Sequence, residues 1–282
     1  MGTSTRPPGP RTGLVTPKCY AAALGDCDGR PATREHYVSE SLLNRLGAKF
    51  FVEGLPWLDC PRELTASMMV ARVLCKRHNS ALSPLDTMIG NFYDVLAGAR
   101  EGREVGVHLF EGEDFERWAL KILLGRTASG NVRWHNGTKE RPEIPLLYLR
   151  ILFGEEDMPD GCGFFYVSEP VDGLDSGGLD VAINTYPAEA IEPGRIFGVT
   201  VNLLGFQFMT SVTGRLEVAE QRIWHPGSFQ FGNPERGRVS LRWKVPSSIN
   251  LILKGVALIL RPQCTVRLGN STTFSGITTV RL

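Results

Sequence analysis

Residues 74–83 read LCKRHNSALS and combine two signals, a pair of metal-binding side chains and the approach to a helix. Cys75 and His78 are separated by two residues, the short spacing that supplies one half of a structural zinc site. Downstream, Pro84 suits the first turn of a helix, and apolar residues recur at helical spacing over residues 89–96. The stretch therefore predicts two metal ligands just ahead of an amphipathic helix.

A zinc site needs four ligands, and the sequence offers a second pair upstream, Cys19 and Cys27. The N-terminus lacks the apolar segment of a secretory signal, so we expect a reducing, cytoplasmic environment. There, clustered cysteines are more often metal ligands than disulfides. Cys60 lies between the two pairs and is an alternative to Cys27. The competing interpretation is a set of scattered buried cysteines with a surface histidine.

The segment between the two ligand pairs carries the dipeptide Glu35-His36. Residues 33–38 are expected to be extended, and Ser39 can cap a short helix over residues 40–46. A strand is predicted at residues 49–52, whereas residues 64–74 fit either strand or helix. Glu35 and His36 are thus expected on a strand near the metal ligands.

Composition narrows the class of protein. The 282 residues are 42% hydrophobic and 22% charged, with a net charge of +1, which is typical of a soluble globular protein. No apolar run reaches the length of a membrane span, about 18 residues, so no membrane association is expected. With so little net charge, nucleic acid would have to bind at a local basic patch. Residues 1–18, which contain proline, glycine and threonine, are predicted to be a disordered leader.

The remainder of the chain predicts one helix followed by many strands. Residues 98–106 are a polar linker, and residues 115–124 form an amphipathic helix whose apolar side chains are expected in the core. Segments rich in β-branched and aromatic residues follow, separated by turns: residues 146–153, 163–167, 179–184, 196–203, 206–208, 238–243 and 249–260. We therefore predict an α+β protein, with a metal-binding module at 19–97 and a helix plus a predominantly β region at 107–282.

The order of these residues resembles the HNH, or ββα-metal, endonucleases in their zinc-stapled form. That pattern has a first cysteine pair, an acid followed by histidine on a strand, and a second ligand pair followed at once by His or Asn at the head of a helix. Here the matching residues are Glu35-His36 and Cys75-x-x-His78-Asn79. The resemblance covers about 70 residues, near 19–86, and implies a ββα-metal fold.

The resemblance also implies a role for each matched residue. His36 would be the general base that takes a proton from the attacking water. Glu35 and Asn79 would hold a catalytic Mg²⁺ or Mn²⁺, for which oxygen ligands are suitable. The structural zinc would be held by the four ligands named above, Cys19, Cys27, Cys75 and His78. The implied activity is metal-dependent hydrolysis of DNA phosphodiester bonds, in restriction or phage defence.

One departure from the family pattern leaves a second hypothesis open. The family has an asparagine shortly before the second ligand pair, which here would fall near Val70, yet no asparagine lies between Asn44 and Asn79. That residue usually fixes the loop bearing the base. The alternative is a zinc-stapled nucleic-acid- or protein-binding protein that has lost cleavage. A third possibility places the function in the C-terminal half, which could also bind a regulator or a second copy of the chain.

A small basic cluster surrounds the module, and it is the candidate for nucleic-acid binding. Its members are Arg34, Arg72, Lys76 and Arg77. Basic side chains of this kind hold DNA through its phosphates. A solvated charged surface without a ligand is the alternative interpretation of the same residues.

Overall fold

Helices and strands are mixed along the chain, which confirms the α+β class. The computed structural model describes residues 4–132, 143–167, 181–187, 196–212, 222–225, 228–230, 237–243 and 264–269. The α-helices of this part are α1 (Glu40–Arg45), α2 (Lys76–Arg100), α3 (Gly112–Ser129) and α4 (Leu146–Leu152). The strands are β1 (Thr33–His36), β2 (Phe50–Glu53), β3 (Arg62–Leu64), β4 (Val70–Leu74), β5 (Gly106–Glu111), β6 (Gly163–Val167), β7 (Val181–Pro187), β8 (Ile196–Leu203), β9 (Phe206–Ser211), β10 (Arg222–Trp224), β11 (Ser228–Gln230), β12 (Gly237–Arg242) and β13 (Cys264–Gly269).

Strands β1 and β4 form a two-stranded antiparallel sheet, and α2 begins directly after β4. Residues 64–74, which fitted either strand or helix in sequence, thus end in a strand. Paired residues of the two strands share a face. Glu35 lies opposite Ala71, whereas Arg34 lies opposite Arg72. Glu35 and His36 therefore point to opposite faces of this sheet.

Helix α2 starts earlier than the sequence predicted. Cys75 is its extended N-cap residue, and Pro84 lies inside the helix rather than at its first position. A proline inside a helix removes one backbone hydrogen bond and crowds the carbonyl four residues earlier, but the apolar face that includes Leu82, Ile89 and Phe92 is fully buried. Burial of this face outweighs the cost of the proline, so the helix continues through Pro84.

Helix α3 lies in the core of the described part of the chain. The predicted helix at 115–124 is confirmed and extended, and almost every residue from Gly112 to Thr127 is buried. The apolar side chains Phe115, Trp118 and Ile122 lie in the core, as predicted. A helix buried on all sides must receive neighbours on all sides, and α3 packs against α2, α4, β4, β6 and β8.

An eight-stranded sheet joins the two parts of the chain that the sequence separated. Its order is β10-β6-β9-β8-β7-β13-β2-β3, so two strands from before residue 65 complete a sheet of C-terminal strands. A smaller sheet has the order β11-β12-β5. The expected boundary at 98–106 therefore does not separate two sheets, and α2 extends through Arg100 before β5 begins.

Two further sequence predictions are wrong in the described part of the chain. Residues 146–153 were expected to be a strand, but residues 146–152 form α4, which packs against α3. Residues 4–18 were expected to be disordered, yet Thr5 and Thr16 are buried and the nitrogen of Cys27 donates to the carbonyl of Leu14. In both cases tertiary packing decides the outcome. The strand predicted at 249–260 lies outside the described residues.

Within the part of the chain that the structure describes, no helix is long and apolar enough to cross a membrane.

Candidate metal centre and its polar neighbours

The two predicted ligand pairs meet in one buried cluster. One ligand atom each from Cys19, Cys27, Cys75 and His78 lies within 4.8 Å of all the others. The Nδ1 atom of His78 is 3.2 Å from the sulfur of Cys75, 3.6 Å from that of Cys19 and 3.8 Å from that of Cys27. All four residues are buried. This arrangement could hold a metal ion.

Local backbone geometry explains how the pairs come together. Cys75 and His78 lie three residues apart across the first turn of α2, so their side chains share one side of the helix. Cys19 precedes a short 3-10 turn that ends at Gly25 in the left-handed conformation. This turn brings the chain back, so that Cys27 stands beside Cys19.

The donor set fits zinc. With Zn–S of about 2.3 Å and Zn–N of about 2.0–2.1 Å, neighbouring ligand atoms in a tetrahedral site lie about 3.5–3.8 Å apart, close to the observed distances. Burial raises the pKa of the Cys19 and Cys27 thiols, and the electrostatic effect of the neighbouring Cys75 adds to this. Both effects favour the protonated form of Cys19 and Cys27 when no cation is bound. A bound zinc ion would stabilise the thiolates and supply folding energy.

The alternative ligand, Cys60, lies elsewhere. Its side chain is exposed, whereas Cys27 is fully buried within the cluster. The structure therefore assigns the fourth position to Cys27.

Arg77, one of the predicted nucleic-acid contacts, is used internally. Its Nε and Nη2 atoms pair with the two carboxylate oxygens of Asp26 at 3.0 and 3.1 Å. It also donates to the carbonyls of Pro8 at 2.7 Å and Pro10 at 3.1 Å. Arg77 thus ties the residues before Cys19 to the start of α2, and this explains the order of the N-terminal segment.

Glu35 points into the protein rather than toward solvent. Its carboxylate is 5% exposed, and its Oε1 atom lies 2.8 Å from the ammonium nitrogen of Lys121 on α3. Burial raises the pKa of Glu35, and the neighbouring Lys121 opposes that effect. A catalytic Mg²⁺ or Mn²⁺ does not fit here, because a cation from the protein already occupies the inner side of this carboxylate.

His36 lies on the opposite face of β1 from Glu35. Its side chain is 19% exposed, and its Nδ1 atom is 3.7 Å from a carboxylate oxygen of Glu40. Burial lowers the pKa of His36, although Glu40 acts in the other direction. Val70 lies directly across the sheet from His36. The position near which the family pattern has its asparagine thus holds an aliphatic side chain beside the candidate base.

Asn79 stands in the first turn of α2 and contacts β1. Its side-chain nitrogen donates to the Thr33 hydroxyl at 3.2 Å and to the carbonyl of Arg34 at 3.3 Å. Asn79 therefore joins the helix to the strand that carries Glu35 and His36.

The other three predicted basic contacts are exposed. Arg34 and Arg72 face each other across the β1–β4 sheet, and Lys76 is the first residue of α2. Arg34 also donates to the carbonyl of Ser67 at 2.8 Å, which holds its guanidinium in place. We refer to Arg34, His36 and Arg72 as the basic face.

Sequence reasoning missed Lys121 and its second partner, Asp86. Lys121 stands within the apolar run Trp118–Leu124, and a lysine at such a position is an available signal, because lysine is almost never fully buried without a partner. The identity of that partner depends on the packing of α3 against β1 and α2, which local sequence does not encode.

Comparison with protein-family models, with curated proteins and with solved structures gave no match.

Proposed function

We propose that this chain is a zinc-stapled nucleic-acid-binding protein that uses an HNH-like scaffold to hold phosphates. The proposal rests on the position of Arg34, which lies directly opposite Arg72 on the neighbouring strand. Like charges directly opposite each other destabilise a sheet. A bound phosphate would remove that repulsion, because it would accept hydrogen bonds from both guanidinium groups.

The scaffold supports this role. Strand β1, strand β4 and helix α2 follow one another in the ββα order of the family that the sequence resembles, with residues 37–69 inserted between the strands. Two of the zinc ligands lie at the start of the helix, and the other two lie in the segment before β1. Zinc would therefore fix the helix against the sheet and hold the basic face in shape.

The donor set favours binding over metal-dependent cleavage. Glu35 is paired with Lys121 on the buried side of β1, and Val70 lies opposite His36. The residues of the basic face, by contrast, need no second metal to contact a phosphate. We therefore infer phosphate binding, which these side chains can perform without a second metal ion.

The test is binding of fluorescent DNA and RNA duplexes by the parent and by R34A/R72A. Each phosphate contact contributes about 0.9 to the slope of log K against log salt for B-DNA, so we expect the double variant to bind DNA more weakly, with the slope reduced by about 2. R62A is the matched control, since Arg62 is exposed on β3, which belongs to a different sheet from Arg34 and Arg72. Equal affinities and slopes for the parent and R34A/R72A would reject the proposal.

A second candidate, an HNH-type endonuclease, is favoured by one observation. His36 shares the face of Arg34 and Arg72, and its lowered pKa keeps the imidazole neutral near pH 7. A neutral imidazole beside a bound phosphate can accept a proton from an attacking water. Nicking of plasmid in Mg²⁺ or Mn²⁺ by the parent, but not by H36A, would support this candidate. Equal behaviour of both proteins would exclude His36 as the base.

A further inference from the structure

The ammonium group of Lys121 stands between two carboxylates from different elements. Its nitrogen is 2.8 Å from Oε1 of Glu35 on β1, and 2.6 and 2.7 Å from the two carboxylate oxygens of Asp86 on α2. An ammonium group has three N–H donors. Two of these contacts are hydrogen bonds to Asp86, and the third is an ion pair with Glu35.

A shell of hydrogen bonds fixes the second carboxylate. The indole nitrogen of Trp118 donates to the Ser39 hydroxyl at 2.7 Å, and that hydroxyl donates to Oδ1 of Asp86. The side chains of Lys121 and Glu35 are 3% and 5% exposed, and that of Asp86 is 25% exposed. The group is therefore a built site rather than a surface ion pair.

The carboxylates of Glu35 and Asp86 stabilise the positive charge of Lys121. Burial alone would lower the pKa of Lys121, but the carboxylates of Glu35 and Asp86 outweigh burial and raise it. A charged ammonium is consequently present at neutral pH.

We propose that Lys121 is an internal replacement for a divalent cation: its ammonium occupies a cation site formed by Glu35 and Asp86. The site lies where the family resemblance would place a metal on Glu35. The protein thus carries its own cation, which ties β1, α2 and α3 together without Mg²⁺ or Mn²⁺.

The dimensions of the site agree with this assignment. Mg²⁺ requires oxygen ligands at about 2.0–2.1 Å in octahedral geometry. The oxygens around Lys121 lie 2.6–2.8 Å from its nitrogen. A divalent ion would have to expel a buried ammonium and draw both carboxylates inward.

The first test measures Mn²⁺ binding by electron paramagnetic resonance, on the full-length, zinc-loaded protein. The parent and E35Q should bind Mn²⁺ equally, because Glu35 is already engaged by Lys121. If the parent binds one Mn²⁺ ion that E35Q does not, Glu35 is a metal ligand and the proposal is overturned. This comparison needs no variant of the buried lysine.

The second test removes the ammonium group from the site. K121M has a side chain of similar length without charge, and we expect it to bind one Mn²⁺ ion that the double variant K121M/E35Q does not bind. With Mn²⁺ at about 100 times its dissociation constant, the Tm of K121M should rise by about 5 °C or more, while that of the parent stays unchanged. A folded K121M that binds no more Mn²⁺ than K121M/E35Q would overturn the proposal. If K121M does not fold, the comparison of the parent with E35Q decides.

The cation site around Lys121 and the basic face use different side chains, so each can be tested without the other. No measurement of Mn²⁺ binding involves the basic face, and R34A/R72A leaves Lys121 and its partners unchanged. If the experiments reject either nucleic-acid binding or the cation site, the other proposal is unaffected.

Discussion

Replacement of Cys27 by serine tests the metal centre most directly. The Cys27 sulfur is fully buried, 3.8 Å from Nδ1 of His78, and stands with Cys19 and Cys75 in one cluster. A serine hydroxyl is smaller and is a poor zinc ligand at neutral pH, so C27S leaves three strong ligands in place of four. Zinc should then bind more weakly, and the fold should lose part of the stability that zinc provides.

The size of the effect follows from the number of ligands. Structural zinc contributes roughly 10–16 kcal/mol of apparent binding free energy in small four-ligand sites. Equal shares for four buried ligands give about 2.5–4 kcal/mol each, which corresponds to a zinc affinity about 10²–10³ times weaker. At about 2–4 °C per kcal/mol for a protein approaching this size, the Tm of zinc-loaded C27S should fall by about 5–15 °C.

The assay is competition for zinc against a coloured chelator, together with thermal unfolding followed by circular dichroism. C60S is the matched control, because Cys60 is exposed and should change stability by less than about 0.5 kcal/mol. The parent and C60S should hold one zinc per chain under chelator that strips C27S. Equal loss of zinc from C60S and C27S, or full retention by C27S, would refute the four-ligand site.

Three further outcomes are expected. R77M should lower the free energy of unfolding by about 2–4 kcal/mol in denaturant titrations, because it leaves Asp26 without its nearly buried partner; K76M, at an exposed position, should change it by less than about 0.5 kcal/mol. The pKa of His36 is lowered from about 6.5 by burial, so its contribution to stability is present above that pH and is lost as pH falls through the lower folded value; H36Q should therefore lose less stability than the parent between neutral pH and about pH 5. Strong chelation of zinc should destabilise the parent and increase amide hydrogen exchange most at residues 19–27 and in the first turn of α2, whereas uniform exchange across the chain would contradict a local staple.

Each of the two ligand pairs of the metal centre could be predicted because its information is local. Cys75 and His78 are fixed relative to each other by one turn of helix, and the second pair is closed by a short turn ending at Gly25. The helix at 115–124 could be predicted equally well, since a periodic apolar pattern of that length has few alternative structures. In both cases the residues that determine the structure are close in sequence.

The features that the sequence did not predict depend on packing between distant segments. Residues 146–153 contain β-branched and aromatic side chains suited to a strand, yet they form a helix against α3. Residues 8–10 look disordered by composition, but their carbonyls accept hydrogen bonds from Arg77, nearly 70 positions away. Sequence patterns report preference, whereas contacts over such separations depend on the whole fold.

The dipeptide Glu35-His36 shows why a motif alone did not settle the chemistry. Neighbouring residues of a strand point to opposite faces, so one side chain of the pair enters the core and the other meets the basic face. The core residue, Glu35, meets Lys121, which the motif does not include. His36 instead lies on the same face as Arg34 and Arg72, where we propose that a phosphate binds. The two family roles therefore depend on different surroundings: the role of metal ligand depends on Lys121 of α3, whereas the role of base depends on the other face of β1, where His36 also contacts Glu40. Variants at Lys121 and at His36 consequently test two different roles of one motif, although Lys121 also contributes to the lowered pKa of His36.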